Sequence, residues 1–301
     1  MTMTRTIKIW LILAASLITL GILVIALGMS FGSWELGTNK YETNSYEINE
    51  SFGKISINTD TADIVFLPSE DGKCKIDCYE KSNMKHSVSV IDGVLSITLV
   101  DSREWYEFIG INFGSTKITL YLPIGEYPSL LIEESTGDVR IPKDLKFESI
   151  DISVSTGDVI CRASANSVRI SSSTGDITLS DMTCEGDLTL SVSTGDVKLS
   201  DIACKSLSSR GSTGEINLTR VIASDKLYIE RSTGDVELDA SDAKEIYIET
   251  DTGDVEGSLA SGKDFYAESD TGDVRVPSST DGGRCEIKTD TGDIKITVKA
   301  N

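Results

Sequence analysis

Carboxylates at a fixed interval are the arrangement in this sequence best suited to chemistry. Asp138, Asp158, Asp176, Asp196, Glu215, Asp235, Asp254, Asp273 and Asp293 each follow a glycine directly, 18–20 residues apart. In the last three copies a second acid, Asp251, Asp270 or Asp290, stands two residues before that glycine. Paired carboxylates flanking a turn are hard oxygen ligands of the kind that hold Ca²⁺. Asp251/Asp254, Asp270/Asp273 and Asp290/Asp293 are therefore candidate calcium ligands shared between neighbouring turns. A second reading needs no metal: an acid beside a turn accepts hydrogen bonds from nearby N–H groups and hydroxyls. Adjacent carboxylates about 4.8 Å apart repel by only ~1 kcal/mol in water. Both readings stay open at this point.

A second set recurs on the same interval. Tyr228, Tyr247 and Tyr266 fall six residues before their glycines, with Glu230, Glu249 and Glu268 beside them. On successive coils of a stack they form an exposed aromatic and acidic column, able to hold a sugar ring or a basic peptide. Cross-strand tyrosine stacking on a solvated sheet is the plainer alternative. Nothing comparable points to catalysis. The one histidine, His86, has no evident partner, and no G-x-S-x-G or H-E-x-x-H motif occurs. The six cysteines lack zinc-ribbon spacing and read as small buried apolar residues. Cys74 and Cys78 would share a strand face, and Cys184 and Cys204 would stack on neighbouring coils, so a disulfide at either pair stays open in an exported chain.

The element that must position these side chains is the repeat S-T-G-D-V. Its glycines are Gly137, Gly157, Gly175, Gly195, Gly214, Gly234, Gly253, Gly272 and Gly292. A period near twenty over nine copies is the signature of a solenoid. Aliphatic residues recur seven and five before the glycine and two and four after it, as Leu188, Leu190, Val197 and Leu199 do around Gly195. Steps of two on both sides of a turn mean two strands per coil, each with one face inward. The expected fold is thus all-β: a parallel β-solenoid, or β-helix, of about 19–20 residues per coil, stacked in chain order over 129–301. Length variation falls in the linking segment after each twelve-residue unit, which is read as the tolerant side of the coil.

Residues 46–128 carry shorter alternating runs and read as irregular first coils that cap one end, since open strand edges invite aggregation. Asp92-Gly93 marks a hairpin turn, and Thr61-Ala62-Asp63-Ile64 reads as a degenerate copy of the later turn. Ile9 to Leu27 is uncharged and close to the ~20 residues that cross a bilayer. Arg5 and Lys8 precede it, and no basic residue follows before Lys40. The expected plan is a cytoplasmic tail at 1–6, a transmembrane signal anchor at 7–29, a linker at 30–45 and everything beyond outside the cell membrane. Cleavage of the anchor is the competing reading. The net charge of −20 repels nucleic acid.

The turn ladder, preceded by Gly53-Lys54-Ile55-Ser56-Ile57, Asp63-Ile64-Val65, Asp92-Gly93-Val94-Leu95-Ser96-Ile97 and Thr119-Leu120-Tyr121-Leu122-Pro123, resembles a bacterial family of domains of unknown function labelled putative adhesins. The resemblance covers roughly 46–298 and extends to membrane-anchored accessory proteins of Lia-type envelope-stress operons. It implies a β-solenoid on the outer face of the membrane and brings no catalytic or binding residues with it. The expected function is a non-catalytic adhesion, binding or envelope-stress surface, with a cell-wall glycan or an envelope protein as partner. A carbohydrate-active lyase or hydrolase on the same scaffold and a purely structural spacer are the alternatives.

Overall fold

Alternating aliphatic residues on both sides of a turn make strands with one dry face, and the computed structural model is built from such strands across the described residues of 41–298. It describes Trp10, Ala14, residues 16–21, Leu23, and residues 40–102, 116–279 and 282–299. The chain divides into two units, Met1–Lys40 with Glu104–Asn112, and Tyr41–Arg103 with Phe113–Asn301. In the first, the described residues 10, 14, 16–21 and 23 are helical, and most of the anchor expected at 7–29 lies outside the described residues. Among the described residues no helix is long and apolar enough to cross a membrane.

The second unit opens with β1 (Tyr41–Ile48), β2 (Lys54–Thr61), β3 (Asp63–Pro68), β4 (Cys74–Lys81), β5 (Met84–Ile91), β6 (Val94–Asp101) and β7 (Lys117–Leu122). Regular coils follow: β8 (Glu126–Thr136), β9 (Val139–Ile141), β10 (Lys146–Thr156), β11 (Val159–Cys161), β12 (Ser164–Thr174), β13 (Ile177–Thr194), β14 (Val197–Thr213), β15 (Ile216–Thr233), β16 (Val236–Thr252) and β17 (Val255–Leu259). The chain closes with β18 (Asp264–Thr271), β19 (Val274–Arg275), β20 (Arg284–Thr291) and β21 (Ile294–Val298). From β8 to β17 successive coils pair in parallel and in the expected register, with Val197 opposite Ile216 and Leu188 opposite Leu207. All four side chains are buried.

At the cap the pairing turns antiparallel. β1 lies against β4, β4 against β7, and β5 against β6. The β5–β6 hairpin turns at Asp92 and Gly93, whose φ values of 51° and 74° are those of a type I′ turn. β1 starts at Tyr41, inside the stretch expected to be linker, because Tyr46 and Ile48 pack on the core and Tyr41 stacks on Tyr79.

Three features depart from the expected solenoid. The linking segment is a third β-face, not a tolerant loop, in the coils from Ile177 to Leu259: Met182 and Cys184, Ile202 and Cys204, and Val221 and Ala223 are buried. Buried positions there step by three, from Leu179 to Met182 and from Leu199 to Ile202, so the chain turns a corner between them. Asp181, Asp201, Arg220 and Ala240 take that corner at φ near 50°.

The second departure is the order of the stack. β20 lies between β16 and β18, pairing Ile246 with Cys285 and Phe265 with Cys285, and β21 lies between β17 and β19. The last coil of the chain is thus inserted beneath the one before it. The same exchange occurs at the other end, where β2 lies between β6 and β8, and β3 between β7 and β9. Burial explains the C-terminal case. The inserted coil contributes Cys285, Ile287 and Ile294, all 0% exposed, whereas the outer coil has Phe265 and Ala267 half-buried and Val274 41% exposed. Ile287 and Ile294 stand where the outer coil has Ala267 and Val274, so the coil with more aliphatic surface to bury is covered and the weaker one bears the open edge.

The third is a polar inward position, three residues before the glycine. It holds Arg231, 2% exposed, whose guanidinium occupies the space left by Gly211 and whose Nη2 donates to Ser209 Oγ at 3.1 Å. Ser209 breaks the aliphatic series for that reason.

The turn glycines do more than supply a positive φ. At Gly195 (φ 144°) an added Cβ would lie 2.1 Å from the carbonyl oxygen of Gly175 on the coil below. Gly72 (φ 70°) has nothing within 4 Å of the same position. Gly72→Ala therefore costs about 1 kcal/mol from backbone strain alone. Gly195→Ala adds a backbone clash and costs on the order of 3 kcal/mol or more. Chemical denaturation of the two variants checks this, and equal losses would mean the coils do not press together at the turn.

Candidate binding surface

At the turn corner most of the ladder aspartates accept the N–H of the acid on the neighbouring coil. Asp138 Oδ1 accepts from the Asp158 N–H at 3.0 Å, Asp158 from Asp176 at 2.8 Å, and Asp176 from Asp196 at 2.9 Å. The series reaches Asp254, which accepts from Asp293 at 2.7 Å, and Asp293, which accepts from Asp273 at 2.9 Å. Asp63 Oδ1 takes the Asp138 N–H at 3.1 Å, so the degenerate turn at Thr61–Ile64 is the first rung. These bonds hold the Asp293 carboxyl below its ordinary range, with Lys295 adding to the effect. The spatial order of the candidate calcium pairs is Asp251/Asp254, Asp290/Asp293, Asp270/Asp273, because the last coil is inserted. Among the described residues these six do not gather in threes with ligand atoms within 4.8 Å of one another.

The tyrosine column is also reordered. Tyr228 stands beside Tyr247, but Glu286 follows next and Tyr266 lies beyond it, so the three are not on successive coils. Next to them Glu230 and Glu249 are neighbours, and Lys288 separates Glu249 from Glu268. Insertion thus puts a cation where chain order would have set two carboxylates side by side. Lys226 Nζ lies 5.2 Å from the Tyr228 ring centre and 4.3 Å from that of Tyr247. Arg210 covers Tyr228 at 4.8 Å and Arg284 covers Tyr266 at 4.6 Å. The Tyr228 hydroxyl donates to Glu230 Oε2 at 2.9 Å, and that of Tyr266 to Asp264 Oδ2 at 2.9 Å, which raises both phenol pKa values. The result is a face of rings, cations and carboxylates, several of them paired with one another.

Several buried polar groups escaped sequence reasoning. His86 does have partners: Nδ1 is 2.7 Å from Glu80 Oε2 and Nε2 is 2.8 Å from Thr59 Oγ1. Glu134 is 4% exposed, and burial pushes its carboxyl up to about 8. Its Oε1 accepts from the Ala62 and Thr136 N–H groups at 3.2 Å each, while Oε2 has no partner among the described residues. The signal was there in each case, a polar residue at an inward position. All six cysteines are buried and free, so neither disulfide forms. At the cap a cleft of about 690 Å³ opens among Ile48, Leu67, Cys74, Tyr121 and Lys75.

The chain matches the model of the Toastrack DUF4097 family over residues 52–219 and 183–301. It has no significant match among curated proteins. Among solved structures it is similar to a "putative lipid binding protein" from Parabacteroides distasonis, with 16% identity, a TM-score of 0.56, and coverage of 87% of this chain and 98% of that one. A "putative adhesin" from Bacteroides fragilis has 18% identity, a TM-score of 0.48, and coverage of 86% and 98%. A second one, from Parabacteroides distasonis, has 14% identity, a TM-score of 0.44, and coverage of 87% and 98%. The first likeness is one of fold.

The Glu134 carboxyl gives a pH test. Folding raises its pKa from 4.5 to about 8, so the folded state holds a proton that the unfolded chain has lost. The stability tied to that proton is complete below pH 4.5 and falls away as pH rises through 8, by on the order of 3 kcal/mol. Glu134→Gln removes this dependence: its thermal midpoint exceeds the parent's above pH 8 and falls less between pH 5 and 8. Parallel curves for parent and variant would refute the assignment.

Proposed function

The chain belongs to the Toastrack DUF4097 family of domains of unknown function, and on that footing we propose that it is a non-catalytic binding surface of the cell envelope. The observation that carries this reading is the flat column of Tyr228, Tyr247 and Tyr266 with Glu230, Glu249 and Glu268, flanked by Lys226, Arg210 and Arg284. The adjacent rings of Tyr228 and Tyr247, with Tyr266 two coils further on, stand beside carboxylates and cations and can stack on sugar rings and hydrogen-bond their hydroxyls along a linear polymer. A cell-wall glycan is the partner that fits best, with a basic segment of an envelope protein second. The uncharged run Ile9–Leu27, preceded by Arg5 and Lys8, supports anchoring in the membrane with the solenoid outside. An accessory role in envelope stress is the form suggested by the resemblance to membrane-anchored accessory proteins. Calcium held at Asp251/Asp254, Asp290/Asp293 and Asp270/Asp273 would add rigidity at the adjoining corner.

Sedimentation with purified peptidoglycan tests the surface. The parent chain should co-sediment, and Tyr228→Ser/Tyr247→Ser/Tyr266→Ser should lose at least tenfold in bound fraction. Unchanged binding by the triple variant removes this face. Each arm is run in millimolar calcium and in EDTA, with thermal midpoints recorded. A higher midpoint in calcium supports the aspartate pairs, and equal midpoints dismiss them. Release of soluble sugar fragments by the parent would move the assignment to a carbohydrate-active enzyme.

A further inference from the structure

The cap buries a mixed set of metal-ligating side chains that the proposed surface does not use. Cys78 and Glu80 are alternate inward residues of β4, and His86 is an inward residue of β5. All three are buried, at 0%, 0% and 3% exposed. One ligand atom from each, Cys78 Sγ, a Glu80 oxygen and a His86 nitrogen, lies within 4.8 Å of the other two. Among the described residues they are the one such group of three. We propose that Cys78, Glu80 and His86 are the protein ligands of a zinc-type divalent metal that pins β4 to β5 within the antiparallel cap.

The donor set selects the metal. Sulfur, imidazole nitrogen and one carboxylate suit zinc or cobalt, whereas calcium and magnesium take oxygen alone. Bond lengths of about 2.0–2.3 Å put neighbouring ligand atoms of a tetrahedral site roughly 3.3–3.7 Å apart, so metal entry parts the Glu80–His86 pair, now 2.7 Å apart, by roughly half an ångström and draws Cys78 Sγ in by up to about 1 Å. Charge favours it as well: one thiolate and one carboxylate cancel the two positive charges, leaving a neutral buried centre.

Supporting contacts are already in place, as metal sites require. Glu80 Oε1 accepts from Asn44 Nδ2 at 2.7 Å, and Oε2 from the His86 N–H at 2.6 Å. Thr59 Oγ1 sits 2.8 Å from His86 Nε2, and the Tyr46 hydroxyl donates to the His86 carbonyl at 3.1 Å. With the metal on Nδ1, the imidazole proton resides on Nε2 and is donated to Thr59. The thiol proton of Cys78 leaves to solvent as the metal–sulfur bond forms, so one proton is released for each metal taken up.

Cobalt(II) titration of the full chain, purified in chelator and then freed of it, tests the site. The expected result is one equivalent of cobalt with a thiolate-to-cobalt charge-transfer band. That band should be absent in Cys78→Ser and retained in Cys204→Ser. Thr59→Val keeps every ligand and should weaken cobalt binding about ten- to hundredfold through loss of the imidazole's support. Circular dichroism reports whether each variant folds, and the parent alone is decisive where one does not. No band in the parent, or a band that survives in folded Cys78→Ser, overturns the proposal.

Discussion

Everything in this fold depends on how closely one turn can sit on the next. At each regular coil the chain turns at a glycine whose missing Cβ leaves room for the carbonyl oxygen of the neighbouring turn. That approach lets the Gly N–H and the following residues bond across coils, as Gly195 N–H does to the Thr213 carbonyl at 3.0 Å. The aspartate then seals the corner by accepting the next acid's N–H. With the corner fixed, the strands on either side have no freedom of register, and every inward aliphatic falls on its counterpart. Exposed columns inherit the same order, so tyrosines, acids and cations line up without interactions of their own to align them.

Once the register is set, the order in which coils stack is a separate choice. Any S-T-G-D-V unit fits on any other at the turn, so local geometry does not distinguish chain order from an exchange of neighbours. The ends show what decides. Cys285, Ile287 and Ile294 gain more from a covered position than Phe265, Ala267 and Val274 would, and Lys288 between Glu249 and Glu268 relieves a run of carboxylates. Both ends of the solenoid therefore tuck a stronger coil inside a weaker or irregular one. At the exposed C-terminal edge, Ser279 Oγ takes the Phe265 N–H at 3.1 Å, so part of the open backbone is already occupied.

Much of this was legible in the amino-acid order. The period near twenty, the β-branched residue two after each glycine and the hairpin at Asp92-Gly93 all translate directly into structure. The third face did not, because its corner falls on Asp181, Asp201, Arg220 and Ala240, which hold no single residue type from coil to coil and carry no glycine signal. The exchange at the ends was hidden for a different reason: periodicity reports register and is blind to order. The tyrosine column was found as residues and misread as a sequence of neighbours on that account. His86 was taken as partnerless because Glu80 and Thr59 reach it from β4 and β2, and only the cap topology joins those strands.

Native-state hydrogen exchange over residues 264–298 bears most directly on the claim that stacking at the turns, ordered by apolar burial, builds the molecule. Amides of 285–296 should exchange as slowly as those of the central coils, and those of 264–275 markedly faster, although they come earlier in the chain. Slower exchange in 264–275 than in 285–296 would contradict it, since protection would then decline in chain order toward the C-terminus.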